Sequence, residues 1–505
     1  MSASREKRKR QELYEAGDLT RDERKPSGGL PKAVNWLIGI GAIVVAVAFV
    51  CLMFFNSNMF LNGITAVKVG GTNISAGEAG YYYWDAASTV ASYYGDYFQY
   101  FVDTSKSYKS QQYDENHTWA DYFMSNAESS MQQLAILHDE AVANGFTLTE
   151  EQQQTIESNL TALKSTAAQY GYSDANGYLR ALYGKAASVE SFEEYLTRQT
   201  LAQAYYTHLI ESYSFTQEDL DNWYAEHTND YDTVSYRVLS ISSSDTLTPE
   251  EAKAEAERIA ESSANHEATF LREAEERNKP ADDTVEDQTY DADSATLCDE
   301  YRYSKVSSAY AEWLFDAARV EGETYVAESA NSNTGVTTYY VLYFLGRQTP
   351  DYQMVNVRHI LIKVDDTSDT EAMAKAKAKA ELILSDWEAG DATEDSFAAL
   401  AQENSDDSSA SNGGLITDIY KGQMVEAFND WCFDENRQVG DTGIVETQYG
   451  YHVMYFSGYS EDFDTYGDYM VDSTLRSNAY TEWYTGKQAD YPITEKGFGM
   501  LFVHR

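Results

Sequence analysis

The chain has 505 residues, 43 % of them apolar, enough to fill the cores of three or four domains. Its formal net charge of −45 leaves no basic surface able to neutralise a phosphate backbone, which excludes nucleic acid as a partner. Three cysteines (Cys51, Cys298 and Cys432) allow at most one pair, so the chain is not a disulfide scaffold.

The first 32 residues depart from this acidic pattern. They carry nine Lys/Arg, including Lys7-Arg8-Lys9-Arg10, against six acids, and leave −48 for the other 473 residues. Next comes WLIGIGAIVVAVAFVCLMFF, Trp36 to Phe55: twenty apolar residues, or about 30 Å of helix. No charge occurs between Ala33 and Val67. The pattern predicts a cytoplasmic basic tail over 1–32 and a transmembrane helix over 33–56, and the positive-inside rule places the rest outside the cytoplasm. The long tail and long run argue against a cleaved signal peptide.

Residues 66–85 read as a short strand, a turn at Gly70-Gly71 and a helix entry capped by Ser75, with Glu78 at its third position. Helical periodicity then dominates to about Ser214. Thr147 with Glu150, and Thr216 with Asp219, read as further helix starts. The 41 tyrosines fit either a helical core that uses Tyr for Phe or Leu, or a wettable groove.

Two similar stretches follow. The first holds VSYRVLSI (234–241), an Ala/Glu-rich helix (250–264), AEWLFDAARVEGET (311–324) and YYVLYFLG (339–346). The second holds VNVRHILI (355–362), an Ala/Lys-rich helix (371–384), NDWCFDENRQVGDT (429–442) and YHVMYFSG (451–458). The frame W-x-F-D-x-x-R-x-x-G-[DE]-T aligns without a gap, so an α/β unit of about 110 residues is duplicated. His359 of the second copy corresponds to Val238 of the first, and His452 to Tyr340. The loop Asn404–Gly414, NSDDSSASNGG, has no counterpart. In the strand at 355–362, Val355, Val357, His359 and Leu361 alternate with Asn356, Arg358, Ile360 and Ile362, so His359 shares an apolar face and needs a hydrogen-bond partner. A last helix, 465–488, carries Tyr, Met, Leu and Trp on one side and has nothing local to pack against.

Four motifs in order, Arg358-His359-Ile360-Leu361, Ser405-Asp406-Asp407-Ser408-Ser409 with Gly413-Gly414, Gly422-Gln423-Met424 with Phe428, and Gly450-Tyr451-His452, resemble the parvulin family of peptidyl-prolyl isomerases. The layout is similar to extracytoplasmic foldases of the PrsA and SurA type. The resemblance is strong over 351–459 and weak over 231–347. It implies a catalytic pair, His359 and His452, at the centre of a four-stranded antiparallel sheet, with Asp407 at a loop position held by Asp or Cys. It implies a proline pocket of Met424, Phe428 and Ile416, with Thr447 or Ser408 as further polar partners. One departure stands out: the family commonly has Gly-Gly-Asp-Leu-Gly where this chain has Gly-Gly-Leu-Ile-Thr.

The expectation is therefore a multidomain α+β protein. Its parts are a helical chaperone domain (57–230), a degenerate parvulin-like domain (231–347), an isomerase domain (351–459) and a C-terminal segment (460–505) that completes the helical domain. Its expected function is prolyl isomerisation and chaperoning of unfolded exported polypeptides outside the cytoplasmic membrane, with homodimerisation left open. Isomerisation makes and breaks no bond, so neither cofactor nor metal is expected. The alternative is a membrane-anchored docking module that keeps the fold without catalysis.

Overall fold

A computed structural model describes residues 58–279 and 290–503, together with Arg8, Lys9 and Glu12. Apart from those three residues, the basic tail (1–32) and the transmembrane segment (33–56) lie outside the described residues. Among the described residues no helix is long and apolar enough to cross a membrane. The chain divides into two compact units, one comprising residues up to Ser212 and from Ala479 onward, the other Tyr213–Asn478.

The first unit opens with strands β1 (Thr65–Val69) and β2 (Thr72–Ser75), which pair antiparallel around Gly70 at φ 55°. Helices α1 (Ala76–Tyr94), α2 (Trp119–Ala143), α3 (Glu150–Gln169) and α4 (Val189–Ser212) follow. Ser75 caps α1 by accepting the Glu78 N–H at 3.2 Å. The cap of α3 is Thr149, in a capping box with Gln152, rather than Thr147; only the residue next to the first turn brings its oxygen onto the orphan N–H groups. Tyrosine serves the core here: Tyr82 and Tyr83 are fully buried, and Tyr82 meets Tyr195 edge-on at 4.9 Å. The buried carboxylate of Glu78 is paired with Arg198 at 2.8 Å.

The C-terminus closes this unit. Strand Ile493–Glu495 pairs with β1, Val67 opposite Glu495, to give a three-stranded sheet. Met500 and Val503 are buried in the same core. The end of the helix Tyr466–Gln488 lies along α2, with Gln133 donating to the Tyr480 hydroxyl at 2.9 Å and Lys487 pairing with Glu140 at 2.6 Å. The helix Gln217–Tyr231, expected in the helical domain, belongs to the second unit, where Leu220 and Tyr231 pack on Val471. Likewise only the part of 460–505 from Ala479 onward joins the first unit.

In the second unit the first copy comprises β3 (Thr233–Ser242), α5 (Pro249–Ser263), β4 (Leu297–Arg302), β5 (Thr324–Ala330) and β6 (Thr337–Gln348). The second comprises β7 (Val355–Lys363), α6 (Thr370–Ala389), α7 (Glu394–Asn404), β8 (Leu415–Ile419), α8 (Glu426–Cys432), β9 (Thr442–Thr447) and β10 (Gly450–Tyr459). Both sheets are four-stranded and antiparallel, in the equivalent orders β4-β3-β6-β5 and β8-β7-β10-β9. The repeated sequence frame makes the same bracket twice. Arg319 lies over Trp313 at 5.1 Å and Arg437 over Trp431 at 4.0 Å. Gly322 and Gly440 donate at 2.9 Å to the carbonyls of Phe344 and Phe456 in the last strand. Cys298 and Cys432 lie in different copies as free thiols.

The C-terminal closure can be tested at Gly499, where an added Cβ would lie 2.0 Å from the Thr65 carbonyl oxygen. Gly499→Ala should lower the thermal midpoint of the helical unit, at a cost of about 1–3 kcal/mol. Gly497→Ala, whose Cβ meets nothing within 4 Å, should leave it unchanged. Equal midpoints for the two variants would contradict the closure.

Candidate active site

The second sheet brings the two predicted histidines together through its register. Met454 of β10 stands opposite His359, and His452 stands opposite Leu361, so the histidines are diagonal neighbours on one face. That face also carries Val355, Val357, Met454 and Phe456 and forms one apolar cluster. The opposite face, with Ile360, Ile362 and Val453, packs under α6 and α7. Both histidines are buried, their rings nearly parallel at 5.3 Å, with Nδ1 to Nδ1 at 3.0 Å.

The loop after α7 folds back onto β7. Ser405 Oγ accepts the Leu361 N–H at 3.0 Å, and the Asp406 N–H donates to the Leu361 carbonyl at 2.9 Å. Asp407 then caps a short 3-10 turn, Ser408–Asn412, accepting from Ser409 N–H at 2.8 Å and Ser409 Oγ at 2.6 Å. Gly414 (φ 71°) lays its backbone directly on β7, where the His359 N–H donates to its carbonyl at 2.9 Å. A Cβ at Gly414 would stand 2.3 Å from the His359 carbonyl oxygen, so only glycine fits. Arg358 of the first motif secures the loop end by donating to the carbonyls of Asn412 and Gly413 at 3.1 and 3.0 Å. Past the two glycines, β8 runs as Leu415-Ile416-Thr417, and positive φ falls instead on Asp418 (φ 56°). Asn356 and Ser460 hold Asp418 there by hydrogen bonds of 2.9 and 2.5 Å.

These partners determine the direction of the hydrogen bonds. Ser409 Oγ has one proton and gives it to the Asp407 carboxylate, so it accepts from His359 Nε2 at 3.1 Å. The 3.3 Å approach of His359 Nε2 to Asp407 Oδ1 requires the same proton. His359 Nδ1 is then the acceptor, His452 Nδ1–H the donor, and His452 Nε2 accepts from Thr447 Oγ1 at 2.9 Å. Thr447 in turn accepts the Tyr449 N–H at 3.1 Å. Every donor in this chain points toward Asp407.

Electrostatics agrees with two neutral rings beside one carboxylate. Burial lowers the pKa of His359, against the pull of Asp407. Burial and the neighbouring His359 lower that of His452 to about 4, again against Asp407. Burial works to raise Asp407, but the hydrogen bonds from Ser409 and the nearby His359 outweigh it and hold the carboxyl below its usual range.

The apolar residues close over this floor. Phe428 stands perpendicular to both histidines, its ring 5.4 Å from each. Met424 and Ile416, half-buried, pack in the same cluster. Thr447 makes the contact expected of it; Ser408 does not. Ser408 is exposed, and the histidine's partner is Ser409. The sequence signal for Ser409 was Asp407 two residues before it, since Asp closes a turn onto the N–H of residue i+2. In the first copy Val238 stands opposite Leu342, and Tyr340 occupies the place of His452 against Tyr310, so the equivalent face is apolar and aromatic. Among the described residues no group of three or more His, Cys, Asp or Glu is placed to hold a metal ion.

The histidine shifts imply an acid-labile sheet. The unfolded chain takes up protons on both imidazoles below about pH 6.5, while native His452 resists protonation down to about pH 4. Stability is therefore full above pH 6.5 and falls as the pH drops toward 4, by about 1.4 kcal/mol per pH unit for each ring still neutral when folded. Asp407, with its lowered pKa, loses its contribution only below its unfolded value of 3.8, outside that window. Urea unfolding of the full chain should show the second unit weaker at about pH 5 than at about pH 7.5; unchanged midpoints would contradict two neutral histidines.

Comparison with known proteins adds an independent line. Residues 339–457 match the PPIC-type PPIASE domain. Chaperone SurA of Chromohalobacter salexigens is 36 % identical over 135 residues, 26 % of this chain and 29 % of that protein. Foldase protein PrsA 1 of Listeria monocytogenes is 29 % identical over 160 residues, 31 % and 45 % of the two chains. The match thus spans less than half the length of either relative. Among solved structures, PrsA of Bacillus subtilis aligns over 74 % of this chain and 87 % of its own, at 16 % identity and a TM-score of 0.28. Residues 339–457 are thus similar to the parvulin-type domain of peptidyl-prolyl isomerases, and parts of the chain are similar to proteins named as SurA chaperone and PrsA foldase.

Proposed function

We propose that residues 351–459 catalyse cis-trans isomerisation of X–Pro bonds in unfolded polypeptides, with His359, His452 and Asp407 as the polar floor and Ile416, Met424 and Phe428 as the proline pocket. The observation that carries this reading is the one-directional hydrogen-bond chain through the buried histidines to Asp407, with Phe428 packed on both rings. The uncatalysed barrier is about 18–20 kcal/mol and comes from amide resonance. Packing the pyrrolidine ring against Phe428 and Met424 strips water from the amide, which favours the twisted form because that form carries less charge on oxygen. A carboxylate held ionised beside the carbonyl opposes the planar form in the same direction. The neutral histidines keep Ser409 and Asp407 oriented, so little reorganisation is needed as the bond turns.

The same reading places the site outside the cytoplasm on a membrane-anchored chain. Its support is the twenty-residue apolar run behind a basic tail. The clients are exported polypeptides before they fold, and the helical unit holds them.

In a protease-coupled assay the full chain should accelerate cis-prolyl relaxation of a short peptide. Asp407→Asn should lower kcat/KM about tenfold, or 1.4 kcal/mol in the barrier. A rate equal to the uncatalysed one at micromolar protein would leave the non-catalytic docking module as the function. Topology is tested separately: protease added to intact cells should remove everything beyond residue 57 and leave a small membrane-bound fragment. Protection of the large part until cells are broken would overturn the location.

A further inference from the structure

The proline pocket is held from outside the segment that carries the catalytic motifs. Met424 sits just after a turn, Tyr420–Gln423, closed by Gln423 N–H to the Tyr420 carbonyl at 3.2 Å and Tyr420 N–H to Gln423 Oε1 at 3.0 Å, with Gly422 at φ 82°. Where Tyr420 stands therefore determines where Met424 stands. Tyr420 stacks on Tyr466 at 4.6 Å and 15°, and Tyr466 stacks in turn on Tyr352 at 5.4 Å and 29°. Tyr352 grips the turn a second time: its hydroxyl accepts the Lys421 N–H at 3.2 Å, and the Lys421 ammonium lies 4.8 Å over its ring. Backbone bonds seat the ladder, Tyr466 N–H to the Tyr352 carbonyl at 2.9 Å and Gly467 N–H to the Pro350 carbonyl at 2.8 Å.

Two features mark this ladder as more than core packing. It borders a cavity of about 500 Å³ lined by Arg302, Tyr352, Tyr420, Lys421 and Tyr466, so the stacking itself, rather than close packing on all sides, holds the turn. Its members also come from three parts of the chain. Tyr352 lies in the linker between the copies, and Tyr466 begins the C-terminal helix. Tyr420 belongs to the second copy itself, and Arg302 of the first copy lines the same cavity, donating to Met470 Sδ at 3.3 Å.

We propose that Tyr352 and Tyr466 are positioning residues for the proline pocket, bracing the turn that carries Met424. The proposal rests on the isomerase reading. It makes the C-terminal helix part of the enzyme.

The test is steady-state isomerisation by the full chain carrying Tyr466→Leu, Tyr466→Phe or Tyr420→Ala, with folding checked by circular dichroism. Tyr466→Leu removes both stacks and should raise KM about three- to tenfold, the range commanded by a lost aromatic pair. It should leave kcat within about twofold, since the polar floor is untouched. Tyr466→Phe keeps the stacks and should restore the wild-type KM. Should Tyr466→Leu fail to fold, Tyr420→Ala carries the test, because its half-exposed ring leaves no hole in a core. An active wild type with unaltered KM in both Tyr466→Leu and Tyr420→Ala overturns the brace alone. A wild type without catalysis overturns the isomerase reading and the brace with it.

Discussion

Two imidazoles buried side by side in a sheet set the constraint that the rest of the second copy answers. Each ring has two nitrogens, burial removes water from all four, and a buried polar atom without a partner costs about 1–3 kcal/mol. The 3.0 Å contact between His359 and His452 satisfies one nitrogen of each. The other two call for a donor on one side and an acceptor on the other, which Thr447 and Ser409 supply. Ser409 turns a lone pair to His359 because its hydroxyl hydrogen is directed at Asp407, and Asp407 reaches it only because the loop lies flat on β7. That close approach is why Gly414 has no side chain. Polar network, loop conformation and glycine position form one linked requirement.

The sister copy shows what the scaffold does without that requirement. Register, strand order and the Trp–Arg–Gly bracket are the same, while the histidine positions hold Val238 and Tyr340 and the face closes with aromatic packing. The bracket therefore belongs to the shared fold, and the histidine chain to the second copy alone. The ladder through Tyr352 and Tyr466 joins the two uses of the scaffold, since the linker between the copies also braces the active one. The helical unit obeys a comparable closure rule: β1 would be an edge strand without Ile493–Glu495, so residues more than 400 positions apart must meet before that sheet is complete.

Much of this was legible before any coordinates. The period-two alternation of 355–362 put His359 on the apolar face and Ile360 under the helices, and the structure keeps both. The repeated W-x-F-D frame exposed the duplication, and the contrast of His359 with Val238 and His452 with Tyr340 singled out two residues that the fold brings into contact. The errors share a cause. Ser408 for Ser409, Thr147 for Thr149 and the helical boundary near 230 for the division after Ser212 all turn on which of several similar neighbours a distant element touches. The Tyr352–Tyr466–Tyr420 ladder was invisible for the same reason, being spread over more than a hundred residues with no shared period.

What the sequence determined by itself is what depends on local periodicity and residue chemistry: strands from alternation, helices from caps and the 3.6 repeat, a polar centre from histidines where the sister copy has none. The tertiary structure alone decided the direction of the histidine chain, the serine that links it to Asp407 and the side chains that brace the pocket. Those are settled by ångström-scale contacts between segments far apart in the chain, and a hydrogen bond or a ring stack depends on distance in space rather than on position in sequence.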